Sequence, residues 1–254
     1  MRTGETTSPH RRLVGRRILH YDAVESTQDT AKELLDEATT EGSVVWADRQ
    51  VSGRGRHGRA WASPPGGLYL SMVLKPKDAH AQVLGLLLGI PLAKALRHFG
   101  VLAALKWPND VVYQDRKLAG ILSEGVYRRE VFYVVVGIGV NTNVDLDRLP
   151  PEVREKATTL KREVSLYVAN EEFLDYFLDK AEEHYSRYLN TPVDLLMKDY
   201  RAHCLTVGRR VSIETARGRI VGLGVDVTSA GALVVLDDKG AKHEITDGSV
   251  EHLR

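Results

Sequence analysis

The chain has 254 residues, 43% of them hydrophobic, enough to bury one large core or a large and a small one. Its 35 basic and 34 acidic side chains leave a net charge of +1, which excludes a global field that would draw the protein onto nucleic acid; any anion site has to be local. A single cysteine, Cys204, excludes an intramolecular disulfide framework, no apolar run reaches the length of a membrane span, and residues 1–12 lack the apolar centre of a signal peptide, so the expected location is the cytoplasm.

Residues 1–17 are polar and carry Arg11, Arg12, Arg16 and Arg17, which predicts a flexible tail. They leave no room before Tyr21 for a helix-turn-helix module, so no DNA binding of that type is expected. A first strand is expected over 18–24. Ser26-Thr27-Gln28-Asp29 reads as a helix cap, with an acid three residues after a serine, and Ala31, Leu34, Leu35 and Ala38 follow at helical spacing. Gly42 breaks the helix and a strand follows over 43–47. Beyond the glycine–arginine stretch 53–61, the turn cluster Pro64-Pro65-Gly66-Gly67 leads into a strand over 68–74. An apolar helix is expected over 81–99, closed by Gly100, and then a short strand over 101–106.

Strands over 111–113 and 117–124 flank the polar turn Gln114-Asp115-Arg116, and the nearly continuous apolar run 131–140 reads as a strand buried on both faces. Residues 145–166 carry no clear period. Phe173, Leu174, Phe177, Leu178, Ala181 and Tyr185 form the apolar face of a helix over 171–189, and a shorter helix covers 195–203. After Cys204, itself expected to be a buried inert thiol, the texture changes to short strands over 207–208, 211–214, 219–227, 232–237 and 242–245 between Gly, Asp and Ser turns, which suggests a small all-β barrel. The expected organisation is a tail over 1–17, a larger unit of helices and strands over 18–204, and a small β domain over 205–254.

Residues 53–61, GRGRHGRAW, hold three arginines, a histidine and three glycines. Gly53, Gly55 and Gly58 satisfy G-x-G-x-x-G, but that fingerprint needs a helix to open at once, and Ala60-Trp61-Ala62-Ser63-Pro64-Pro65 cannot supply one. No G-K-[ST] follows to make a Walker loop. The stretch is then either a solvated basic loop or a loop that closes on an anion: guanidinium forks match phosphate geometry and glycines let backbone amides approach it. In Lys106-Trp107-Pro108-Asn109-Asp110 a lysine, an amide and a carboxylate converge at a strand end, as either a surface turn or part of a site. Lys117 lies close to Ala119 and Gly120, which leave room for a carboxylate or acyl-phosphate. The nine histidines lack zinc-ligand spacing, so no metal site is expected, and there is no G-x-S-x-G elbow. The residues alone reach a phosphate-handling enzyme with an arginine loop.

Taken together, the segments resemble the biotin protein ligases, whose pattern runs from a Ser-Thr-Asn cap through Gln, G-R-G-R-x-G-R-x-W, K-W-P-N-D and R-K-x-x-G-I-L to G-I-G-x-N. This chain has Ser26-Thr27-Gln28, Gln50, the loop 53–61, Lys106 to Asp110, Arg116-Lys117-Leu118-Ala119-Gly120-Ile121-Leu122 and Gly137-Ile138-Gly139-Val140-Asn141. The resemblance covers about residues 18–254 and is to the type without an N-terminal DNA-binding domain. It implies an α+β catalytic domain with a mixed sheet, like that of class II aminoacyl-tRNA synthetases, followed by a small C-terminal SH3-like β-barrel. It also implies a reaction in which biotin and MgATP give biotinyl-5′-AMP, whose acyl group passes to a lysine of a biotin carboxyl carrier domain, such as that of acetyl-CoA carboxylase.

Carried over by position, Ser26, Thr27, Gln28 and Gln50 would meet the ureido ring of biotin, with Arg54, Gly55, Arg56, Lys117 and Gly120 also on the biotin side. Arg54, Arg56, His57, Gly58, Arg59, Trp61, Lys106, Asn109, Asp110, Lys117 and Asn141 would surround ATP and the adenylate, with Lys117, Arg54 and Arg56 as catalytic residues. Gln28 stands where the pattern has asparagine, and His57 where it often has arginine. The loop is expected to act as a lid that orders over the mixed anhydride and keeps water out. Two other readings compete: a lipoate or other acyl-acid ligase, and a non-catalytic nucleic-acid binder, the latter disfavoured by the near-zero charge. A homodimer through sheet edges is common in the family resembled; no membrane contact and no tightly bound prosthetic group are expected.

Overall fold

The computed structural model describes residues 2–36, 41–77, 81–216 and 218–253. Strands β1 (Arg2–Thr7), β2 (Arg17–Tyr21), β3 (Ser43–Ala47), β4 (Leu68–Leu74), β5 (Ala104–Lys106), β6 (Asp110–Tyr113), β7 (Arg116–Arg128) and β8 (Val131–Val140) form one mixed sheet in the order β1-β2-β3-β4-β8-β7-β6-β5. The α+β architecture with a large mixed sheet is as expected. Among the described residues no helix is long and apolar enough to cross a membrane.

The side-chain period of two splits the central strands between two layers. Leu68, Leu70, Met72 and Leu74 of β4 and Val134, Val136, Ile138 and Val140 of β8 join one core with α2 (Ala81–His98) and α5 (Asn170–Asn190). On the opposite face, Val45, Val73 and Val135 pack with Ala31, Leu34 and Leu35 from α1 (Thr27–Glu33) and the turn after it. Ala38, expected on that apolar face, lies outside the described residues. Because α1 is short, it covers only one end of this face. The next residues in the same register, Ser71 on β4 and Gly137 and Gly139 on β8, are left facing a cavity.

The flexible tail expected over 1–17 is corrected by the structure. Strand β1 pairs antiparallel with β2. Arg11 is 3% exposed; its guanidinium donates to Asp179 at 2.8 Å and pairs with Asp175, both on α5. Glu182 of the same helix accepts the backbone N–H groups of Arg12, Leu13 and Val14 at 3.0, 2.9 and 2.7 Å. Arg11 looks solvated in the sequence because its acidic partners lie more than 160 residues away.

Residues 145–166, without a clear period, hold two short helices, α3 (Pro151–Arg154) and α4 (Leu160–Val164), before α5. After α6 (Val193–His203), strands β9 (Arg210–Thr215), β10 (Gly218–Val227), β11 (Leu233–Asp237), β12 (Lys242–Ile245) and β13 (Ser249–His252) make an antiparallel sheet in the order β12-β11-β10-β9-β13. Strand β13 was not expected, and the strand expected over 207–208 is a turn instead. Cys204 is buried.

This sheet is fastened to the larger one through Trp107, which is fully buried. Its indole Nε1 donates to the Gly231 carbonyl at 2.9 Å and its backbone N–H to Thr206 Oγ1 at 3.0 Å. Trp107→Ala is expected to cost about 3–5 kcal/mol, read as a lowered Tm and denaturation midpoint. A change under about 1 kcal/mol would show that Trp107 does not anchor the contact.

Candidate active site

A cavity of about 220 Å³ lies between the bare part of the sheet face, the first turn of α1, loop 53–61, the turn 107–109 and residues 248–250. Its neutral end is a chain of hydrogen bonds. Thr27 donates twice to Gln50 Oε1, from its backbone N–H at 2.8 Å and its hydroxyl at 3.0 Å. Gln50 Nε2 donates to Ser63 Oγ at 2.8 Å, and Ser71 Oγ lies 2.8 Å from Thr27 Oγ1. Ser26 occupies the N-cap position, as its sequence suggested, but its hydroxyl makes no cap bond. Ser26 Oγ is buried without a protein partner, as is Trp61 Nε1. Two desolvated polar atoms in one cavity are costly unless a ligand satisfies them.

The other end is cationic. The loop turns at His57, whose φ of 57° lies in the left-handed region. Arg54 pairs with Asp29 on α1 at 2.6 Å. Arg56 pairs with Asp247, and its Nη1 lies 3.4 Å from Asn109 Oδ1. His57 Nε2 is 3.2 Å from Asp247, and Arg59 donates to Ser249 Oγ at 2.9 Å. Burial pushes the Arg56 pKa down, against the opposing pull of Asp247 and Asp110. Burial lowers that of Lys106 too, with Asp110 pulling it back up and Lys117 adding to the fall. Lys117 Nζ pairs with Asp110 at 2.5 Å and stands 5.0 Å from the centroid of the Trp61 ring.

Trp61 itself lies across Gly120 of β7 and Gly139 of β8, which face each other in register. A side chain at either position would collide with the indole, so the paired glycines make the slot that receives it.

Every residue expected in the site lines this cavity except Gly58 and Asn141. Asn141 is 4% exposed; its backbone pairs with Leu118 and Leu160, and its side-chain Nδ2 is 3.5 Å from the Lys117 carbonyl. These contacts brace the strand that carries Lys117. Among the described residues no cluster of three or more His, Cys, Asp or Glu side chains is placed to hold a metal ion.

Comparison with known proteins bears on what this cavity takes. Residues 21–141 match the Biotin/lipoate A/B protein ligase family. The biotin--[acetyl-CoA-carboxylase] ligase of Mycobacterium tuberculosis is 34% identical over 92% of this chain and 89% of its own length. The chain belongs to this family. The bifunctional ligase/repressor BirA of Bacillus subtilis is 30% identical over 91% of this chain and 72% of its length. A biotin protein ligase from Aquifex aeolicus in complex with biotin and ATP superposes with a TM-score of 0.80 at 31% identity, covering 93% of this chain and 98% of that one.

Sequence reasoning missed several lining residues of this ligase-family chain. Ser71 is the one polar residue in the run 68–74, a signal that was available. Gly137 and Gly139 belong to the G-I-G-x-N motif, and their alternation places both on the cavity face. Ser63 accepts from Gln50, and residues 247–250 supply the partners of Arg56 and Arg59. Nothing local marks those last residues, because they arrive from the other sheet.

Proposed function

We infer that the chain is an ATP-dependent biotin protein ligase, forming biotinyl-5′-AMP from biotin and ATP and transferring biotin to a lysine of a biotin carboxyl carrier domain. One observation carries this reading: a single cavity joins a neutral hydrogen-bonding end, with Ser26, Thr27, Gln28, Gln50 and Ser71, to a cationic end, with Arg54, Arg56, Lys106 and Lys117. A neutral ring needs paired donors and acceptors. A carboxylate meeting a triphosphate needs positive charge where the two anions approach each other.

In the first step a carboxylate oxygen of biotin attacks the α-phosphorus of ATP, which enters with its magnesium ion, and pyrophosphate leaves. Lys117 and Arg56 stabilise the charge gathering on the carboxylate and phosphoryl oxygens, while Arg54 and Arg59 hold the loop over them. Trp61 packs on the nucleotide side, and Lys106, Asn109 and Asp110 face the phosphates. In the second step the neutral amine of the carrier lysine attacks the acyl carbon, AMP departs, and the nitrogen loses a proton. Asp110, held by Lys117, is the carboxylate nearest that junction.

By the same resemblance the larger sheet corresponds to a class II synthetase-like domain over 18–204, and the C-terminal sheet to an SH3-like module over 205–254. The carrier belongs to a biotin-dependent carboxylase, and pairing of two copies through sheet edges is the proposed assembly. Pyrophosphate release from ATP tests the function directly. It should depend on biotin and not on lipoate; release with lipoate alone, or with neither acid, would overturn the reading.

A further inference from the structure

Gln28 is 3% exposed and stands at the neutral end of the cavity. Its Nε2 donates to Glu124 Oε2 at 2.8 Å and to the Val135 carbonyl at 3.0 Å. Glu124 on β7 and Val135 on β8 are cross-strand partners, so the two acceptors sit side by side. Lys32 on α1 pairs with the same Glu124 oxygen at 3.0 Å.

We propose that Glu124, held by Lys32, is a positioning residue that locks the Gln28 amide with Oε1 toward the ligand, making Gln28 a fixed acceptor that selects an acid whose ring carries N–H groups. This rests on the biotin reading. A carboxylate and a carbonyl can only accept, so a flipped Gln28 amide would bring its oxygen against both and lose two hydrogen bonds in a buried place. Only one orientation is therefore populated. It leaves Oε1 above Gly137, where an added Cβ would come within 2.6 Å of it. Among the described residues the donor within reach of Oε1 is Ser71 Oγ at 3.1 Å, whose single hydrogen has a second acceptor in Thr27 Oγ1 at 2.8 Å. Oε1 thus keeps a lone pair for a ligand. A ureido ring supplies N–H donors for it, whereas a dithiolane ring has none and would leave a desolvated carbonyl unpaired.

The test is the biotin and ATP dependence of pyrophosphate release in the full chain. Glu124→Met, of similar length but without an oxygen acceptor, should raise the biotin KM about tenfold and leave the ATP KM and kcat within about twofold. Glu124→Gln, which can still accept from Gln28, should stay within about threefold of the wild type. An unchanged biotin KM in Glu124→Met, a parallel rise in the ATP KM, or a Glu124→Gln as impaired as Glu124→Met would overturn the proposal. Should Glu124→Met not fold, Lys32→Met at a part-exposed helix position reads the same chain: a severalfold rise in the biotin KM supports it and no change overturns it. Wild-type protein that releases no pyrophosphate with biotin contradicts the functional reading itself. An active wild type with a flat Glu124 series contradicts only this inference.

Discussion

Lys117→Met is expected to lower kcat for biotin-dependent pyrophosphate release by about a hundred- to a thousandfold, with little change in Tm. Nζ sits between Asp110 at 2.5 Å and the Trp61 ring at 5.0 Å, inside the cavity. A cation fixed there before substrate arrives needs no reorganisation when charge develops on the oxygens joining acyl and phosphoryl groups. The loss should therefore fall on kcat and kcat/KM together, with the KM for biotin nearly constant. Lys117→Arg should not restore the rate, because a planar fork cannot take the position of a compact ammonium between a carboxylate and an indole. A biotin KM that rises while kcat holds would place Lys117 in ground-state binding instead.

Arg56→Ala is expected to release biotinyl-AMP about a hundredfold faster, equivalent to roughly 3 kcal/mol, while the first turnover slows less. Arg56 is the more enclosed of the first two loop arginines: its side chain is 22% exposed against 51% for Arg54. It also contacts two other segments, at Asp247 and Asn109. Asp247 makes with Arg56 the kind of charge-assisted contact that a phosphate can also make, so the guanidinium is oriented for an anion. Off-rates from adenylate loaded on the enzyme check the prediction, and equal retention by Arg56→Ala and the wild type would remove Arg56 from the lid.

Much of the fold was legible in the chain. Strands β3, β4, β8 and β12 have the bounds expected for them, because each is a short β-forming segment between turn residues. Helices α2 and α5 agree to within a residue at each end, as their apolar faces are long enough to fix the period. The candidate site was legible to the extent that it is built from contiguous motifs: Gln50, residues 54–57 and 59–61, Lys106 to Asp110 and Lys117 meet in one cavity. The N-terminal segment was misread because Arg11 looks like a solvated charge until Asp175 and Asp179 are beside it.

The sequence by itself determined which residue types were available and how each segment would alternate or coil, since periodicity, turn chemistry and capping act over a few residues. Only the tertiary structure decided which polar atoms found partners: Glu124 on Gln28, Asp247 on Arg56, Glu182 on the backbone of residues 12–14, and none for Ser26 Oγ. Those pairings depend on strand order and register between segments tens to more than a hundred residues apart. A one-residue slip in that register turns Gly137 and Gly139 away from the cavity and brings large apolar neighbours into it. No local pattern encodes that distance, and so none could show which amide, carboxylate or hydroxyl faces the ligand.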